Sequence, residues 1–265
     1  DKVTLKPKKS LGQNFFIDEN IIKNIVDLGN ITSEDSVIEI GPGTGKLTDE
    51  ILLRKPNEIL LIEKDKNLSE NLKKKYNSKI QLINIDVLEF NQHNLKKDKV
   101  IIFGNLPYNI STQILVKFII SELLFKSIKK MVFMFQKDVA ERIISNYNEK
   151  NYGRLSVIAN WRLKINKNFD VSPNCFYPKP KVDSSVLTFE PIINYTKFKN
   201  PKNLEFVTNV FFSKKRKMIN KAYNIIFNKN LTIAKNLKLD LKFRPGNISK
   251  DKYYEITKEY EKLRN

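Results

Sequence analysis

Short apolar runs alternate with amphipathic stretches over the first two thirds of the chain, and that alternation sets the fold class before any single residue is weighed. The runs at 36–40, 58–62, 80–85, 100–104 and 132–135 are rich in Ile, Leu, Val and Phe. Near-continuous apolar segments of this kind predict strands buried on both faces. Between them, residues 46–53, 67–76, 111–124 and 138–146 repeat apolar side chains at helical spacing. Strand and helix in regular succession predict an α/β fold with a doubly wound, mainly parallel sheet. Beyond Pro191 the strand pattern fades into Lys-rich helical stretches such as 204–212 and 251–263, with Arg244-Pro245-Gly246-Asn247 as a clear break. The chain therefore divides into a domain of residues 1–192 and a small helical domain of residues 193–265.

In such sheets ligands collect at the carboxyl ends of the strands, and four strand ends here carry chemistry. The first runs from Glu39 into Gly41-Pro42-Gly43-Thr44-Gly45 and then a helix. Three residues, not four, separate Gly41 from Gly45, and Leu47 follows Lys46, so this is not a phosphate-binding P-loop. Lys46 also stands where a dinucleotide fingerprint needs its last glycine. Glu39 and Pro42 fit a loop for S-adenosylmethionine, with Gly41 and Gly43 under the amino-acid end of the cofactor. The second strand ends in Glu63, about twenty residues on, where a carboxylate reaches ribose hydroxyls. The third ends in Asp86, an acceptor for the amino group of the cofactor's adenine. The fourth ends in Asn105-Leu106-Pro107-Tyr108, which offers an amide oxygen for amine hydrogens and an aromatic plate for a planar base.

Together with Leu11-Gly12-Gln13-Asn14-Phe15-Phe16, Glu63-Lys64-Asp65, Asp86-Val87-Leu88, Tyr152-Gly153-Arg154-Leu155-Ser156-Val157 and the run from Phe176 through Pro178-Lys179-Pro180 to Ser184, these motifs span residues 11 to 184. In that order they resemble the ribosomal RNA adenine N6-dimethyltransferases. The resemblance implies a Rossmann-like S-adenosylmethionine-dependent methyltransferase fold with a small C-terminal helical domain, and an antiparallel pair of strands around 170–173 and 185–189. It implies N6-dimethylation of adenines in small-subunit ribosomal RNA, at two adjacent adenines in the hairpin near the 3′ end. The partner would be a pre-ribosomal particle, met by a monomer. Leu106, Gly12 and Asp183 are similar to this branch rather than to the resistance methylases that act on large-subunit RNA.

By the same resemblance, Asn105 and the Leu106 carbonyl hold the target amine while Tyr108 and Phe176 form the two walls of a slot for the base. Asn14 and the Phe16 backbone help hold the methionine end of the cofactor. Phe16 departs from the family's usual aliphatic residue, which leaves the packing of its side chain open. No general base is required, because the amine proton becomes acidic only as the methyl arrives.

Composition adds a preference for polyanions: 48 Lys and Arg against 29 Asp and Glu give a formal net charge of +19. The sharpest local signal is Lys214-Lys215-Arg216-Lys217, flanked by Phe211, Phe212, Met218 and Ile219, and these four cations are the candidate RNA contacts. Lys6-Pro7-Lys8-Lys9 reads as a basic tail. Lone Cys175 excludes an internal disulfide framework, and lone His93, read as a surface loop residue, argues against a zinc site. No apolar run approaches the ~20 residues that span a bilayer. The expected compartment is the cytoplasm, or an organelle if a targeting segment has been removed.

Overall fold

The protein, taken from a computed structural model, is described for residues 6–91 and 98–264; His93 lies outside them. The elements run β1 (Phe15–Phe16), α1 (Glu19–Asp27), β2 (Ser36–Ile40), α2 (Lys46–Leu53), β3 (Glu58–Ile62), α3 (Lys66–Tyr76), β4 (Gln81–Ile83), β5 (Val100–Asn105), α4 (Ser111–Ile120), α5 (Glu122–Ser127), β6 (Ile128–Gln136), α6 (Lys137–Ile144), α7 (Arg154–Ala159), β7 (Leu163–Val171), β8 (Phe176–Tyr177), β9 (Ser184–Pro191), α8 (Lys202–Phe212), α9 (Asn220–Phe227), α10 (Leu231–Asn236) and α11 (Lys250–Lys262). Among the described residues, seven strands form one sheet in the order β4-β3-β2-β5-β6-β9-β7. The pairs β3–β4, β2–β3, β2–β5 and β5–β6 are parallel, and β9 returns antiparallel to β6. This is the expected α/β fold.

The central strands are apolar because both faces are covered: every residue of β2 is buried, as are Val100 to Phe103 of β5. Register decides where the chemistry goes. Ile40 pairs with both Ile62 and Gly104, and Ile62 pairs with Ile83. The residues that follow, Gly41, Glu63, Asn84 to Asp86, and Asn105, consequently emerge side by side at one edge of the sheet.

Three local features differ from the sequence pattern. The helix expected at 111–124 breaks at Ser121, whose extended backbone (φ −79°, ψ 116°) ends α4 before α5 begins; serine hydrogen-bonds locally and favours helix ends over interiors. β6 starts at Ile128, earlier than the apolar run, because Lys129 and Lys130 sit inside it. Lys129 pairs with Asp35 at 3.2 Å, and Lys130 donates to the Leu28 carbonyl at 2.9 Å. The ribbon β1–β8, pairing Phe16 with Phe176, has no counterpart in the pattern.

The described residues fall into two compact units, the first within 1–140 and 164–191 and the second within 141–163 and 192–265. The second unit thus takes in a segment that the sequence pattern assigns to the first. Its attachment to the helices is specific: the Tyr152 hydroxyl donates to the Ile248 carbonyl (2.8 Å), and Tyr254 donates to the Val157 carbonyl (2.7 Å). The Tyr152 ring also meets Phe212 edge-on at 6.0 Å. Within the same unit, buried Glu261 of α11 accepts from the Lys199 and Asn200 amides and the Asn203 side chain at 2.8 to 3.0 Å. A buried carboxylate with three donors is satisfied rather than costly.

Candidate active site

The strand ends of the first unit enclose a cavity of about 160 Å³. Its lining includes Asn14, Gly41, Gly43, Glu63, Asp86 and Asn105, and apolar walls come from Ile62, Leu68, Ile85, Val87 and Ile110. Six of the residues singled out for cofactor contact are thereby brought together. Phe16 lines a smaller neighbouring hollow with Asn14, Gly41 and Asn105. Leu106, Tyr108 and Phe176 are not in the lining of the larger cavity.

The glycine loop is built for close approach. Gly43 has φ +59°, and a Cβ there would come within 2.9 Å of the Phe15 ring. At Gly45 (φ +85°) a Cβ would fall 2.3 Å from the Tyr76 hydroxyl, which lies against the Gly45 carbonyl at 2.7 Å. Neither position accepts a side chain. The Gly43 amide donates to Glu63 (3.3 Å), and the Asp65 amide donates to the other Glu63 oxygen (2.9 Å). Asn84 donates to the Glu63 carbonyl at 2.8 Å. Burial raises the Glu63 carboxyl above its ordinary range despite these amide donors.

Two further acids complete the electrostatics. Glu39 is buried beneath the loop and accepts from the Thr48 hydroxyl at 2.5 Å. Burial, helped by the negative charges of Glu63 and Asp49 and opposed by the Thr48 donor, pushes it up to about 8. Asp86 behaves oppositely: burial works to raise it, but Lys64 at 2.7 Å and the Leu88 amide at 2.9 Å hold it below the usual carboxylate range. Its loop is clamped by Lys117 of α4, whose ammonium donates to the carbonyls of Val87 (3.0 Å), Leu88 and Phe90 (3.1 Å). Sequence reasoning misses Lys117, although a single cation in the run Ile114-Leu115-Val116-Lys117-Phe118-Ile119 is itself the signal.

Asn105 closes the site. Its side-chain amide donates to the Asn14 carbonyl at 3.0 Å, an arrangement that leaves Oδ1 as the acceptor for something else. Tyr108 is half-buried, its hydroxyl hydrogen-bonded to Ser184 Oγ at 2.9 Å. Phe176 is placed differently from the slot wall expected of it. It is 2% exposed, lies 4.9 Å from the Phe16 ring, and belongs to the core with Met134 and Val186. The same contact settles the open question at Phe16, whose side chain is core. Lys214, Lys215, Arg216 and Lys217 are exposed and belong to the second unit. The Lys217 amide closes a turn onto the Lys214 carbonyl (2.9 Å), and Lys215 reaches the Lys150 carbonyl (3.1 Å).

Among the described residues no group of three or more His, Cys, Asp or Glu side chains is arranged to hold a metal ion, and no helix is long and apolar enough to cross a membrane.

Comparison with known proteins adds a lineage to this geometry. The family model described as ribosomal RNA adenine dimethylase matches residues 4–262. The chain belongs to that family. A relative from Pelagibacter ubique, named ribosomal RNA small subunit methyltransferase A, is 47% identical over 263 residues, covering 98% of this chain and 99% of its own length. One of the same name from a Wolbachia of Drosophila simulans is 39% identical over 255 residues, covering 95% and 93%. Among solved structures, a dimethyladenosine transferase from Plasmodium falciparum aligns with TM-score 0.78 at 24% identity, covering 94% of this chain and 98% of that one. The 23S rRNA methyltransferase ErmE aligns with TM-score 0.68 at 19% identity, covering 94% and 100%. At those identities the structural likenesses show the fold. An adenine dimethylase of this lineage needs a methyl donor site and an amine site in reach of each other, and the cavity beside Asn105 is where the four strand ends converge.

Proposed function

We propose that the chain transfers methyl groups from S-adenosylmethionine to the N6 nitrogen of adenines in small-subunit ribosomal RNA, two to each adenine. The observation that carries this reading is the convergence of the glycine loop, Glu63, Asp86 and Asn105 on one cavity, with the Asn105 amide oriented by the Asn14 carbonyl. The names of relatives 47% and 39% identical over nearly the whole chain support the small-subunit substrate.

The cavity fits the cofactor: loop glycines that tolerate no Cβ, a carboxylate at the ribose position, and the apolar walls Ile85 and Val87 beside Asp86 for a purine. When bound there, S-adenosylmethionine supplies an electrophilic methyl group. Glu63 accepts from ribose hydroxyls, Asp86 from the adenine amino group, and Asn14 with the Phe16 backbone holds the amino-acid end over Gly41 and Gly43.

For the target base, Asn105 Oδ1 and the Leu106 carbonyl accept the two amine hydrogens and favour the pyramidal nitrogen whose lone pair attacks. The proton leaves to water once the nitrogen is cationic, and no side chain serves as base. An adenine within folded RNA is first drawn out of its stack, at a cost of a few kcal/mol offset by stacking on Tyr108.

Lys214, Lys215, Arg216 and Lys217 hold RNA phosphates and position the particle. The remaining features of this reading are two adjacent target adenines near the 3′ end, a pre-ribosomal particle as substrate, action as a monomer, and a cytoplasmic setting in keeping with the bacterial relatives. The test is labelled methyl transfer from S-adenosylmethionine to undermethylated small subunits and, separately, to large subunits. Incorporation confined to small subunits is expected; incorporation into large subunits only would replace the substrate with that of the resistance branch.

A further inference from the structure

The segment 8–14 forms one wall of the cavity through Ser10, Leu11, Gly12, Gln13 and Asn14, yet none of its residues is buried. Its 3₁₀ turn, Lys9–Leu11, has no buried residue. Polar contacts do the holding, and two of them meet on one carboxylate. Lys8 Nζ lies 2.7 Å from Asp65 Oδ2, and Gln13 Nε2 donates to the same oxygen at 3.2 Å. The Lys8 amide in turn donates to Gln13 Oε1 at 2.7 Å, which ties the two ends of the segment to each other.

Asp65 is suited to the task because its side chain is 2% exposed and fixed from behind. Its Oδ1 caps α3 by accepting from the Asn67 and Leu68 amides (2.8 and 3.2 Å). Its own amide donates to Glu63, the acid assigned to the cofactor's ribose (2.9 Å). One end of the segment is thus tied through Asp65 to the cofactor acid, and the other is tied through the Asn14 carbonyl to Asn105.

We propose that Asp65 is a positioning residue that latches segment 8–14 over the cavity, so that its bonds to Lys8 and Gln13 set how long S-adenosylmethionine stays bound. The inference rests on the cofactor assignment above. Dimethylation consumes two cofactor molecules in succession, so the segment must release and re-latch between transfers. An ion pair with one half-exposed partner suits that task, being strong enough to retain a ligand and weak enough to open.

The test measures cofactor affinity by calorimetry and dissociation by stopped-flow in wild type, Lys8→Ala, Lys8→Arg and Asp65→Asn, the last of which keeps an oxygen for the helix cap. Lys8→Ala and Asp65→Asn are expected to weaken binding about three- to tenfold through faster dissociation. Lys8→Arg should restore wild-type values, and 0.5 M salt should bring wild type down to the Lys8→Ala value. In steady state, KM for the cofactor rises while kcat holds, and the melting temperature of Lys8→Ala stays with wild type; a merely structural contact would reverse that pattern. Wild type and Lys8→Ala with equal affinities and dissociation rates would overturn the latch alone. A wild-type protein that binds no S-adenosylmethionine would overturn the cofactor assignment and the latch with it.

Discussion

Glu39 should make the protein lose stability as pH rises through neutrality, and Glu39→Gln should remove that loss. The carboxyl is buried in β2 under the glycine loop, touches the Thr48 hydroxyl, and is pushed up to about 8 by burial. In the unfolded chain it titrates at the ordinary 4.5. Below 4.5 both states are protonated and the contribution is fully present. Between 4.5 and about 8 the unfolded chain has released a proton that the folded one retains, so stability falls by up to about 1.4 kcal/mol per pH unit. From pH 6 to pH 8 that amounts to about 2 to 3 kcal/mol, or roughly 5 to 10 °C in melting temperature for a chain of this size. Gln has the shape of the neutral carboxyl and nothing to titrate. Glu63, also raised by burial, is present in both proteins and leaves the difference except for the repulsion between its charge and that of Glu39. Calorimetric melts at pH 5, 6, 7 and 8 and constant ionic strength should show the variant gaining on wild type with each step. A gap that stays constant from pH 5 to 8 would refute the assignment of a neutral carboxyl under the loop.

Two other substitutions probe the proposed contacts. Glu63→Ala removes a charge-assisted hydrogen bond to ribose, worth about 1.5 to 3 kcal/mol, and should weaken S-adenosylmethionine roughly ten- to hundredfold by calorimetry; unchanged affinity would remove Glu63 from the site. Changing Lys214, Lys215 and Lys217 together to Gln should weaken binding to small-subunit RNA and flatten the plot of log affinity against log salt, by about 0.7 to 0.9 of slope for each phosphate that no longer meets a cation. Cofactor affinity should stay put, and parallel salt plots for the two proteins would show that these lysines are only a solvated face.

What the sequence makes legible is whatever depends on being buried on both faces or on standing at a strand end. β2, apart from Ser36 and Glu39, and β5 from Val100 to Phe103 are apolar because these strands are buried on both faces, and the parallel register then puts Gly41, Glu63, Asp86 and Asn105 at one edge. What stays hidden depends on contacts between distant segments. The ribbon pairing Phe16 with Phe176 has two residues per strand, too few for any period to show, and it turns an expected stacking wall into core. The segment 141–163 lies between stretches of the first unit along the chain, but the Tyr152 and Tyr254 hydroxyls tie it to the rest of the second. Lys8 reads as part of a basic tail because nothing in its neighbourhood reveals a carboxylate 57 positions away, and Asp65 reads only as the last residue of Glu63-Lys64-Asp65.

The most direct test of the central claim is to digest RNA from small subunits treated with S-adenosylmethionine and either wild type or Asn105→Ala, and to quantify N6-methyl- and N6,N6-dimethyladenosine by mass spectrometry. Wild type should convert adenine to the dimethylated nucleoside, whereas Asn105→Ala should bind the same RNA with similar affinity and lose most of the turnover. Dimethyladenosine formed at equal rates by both proteins, or RNA affinity falling in step with turnover, would contradict an amine site built on Asn105.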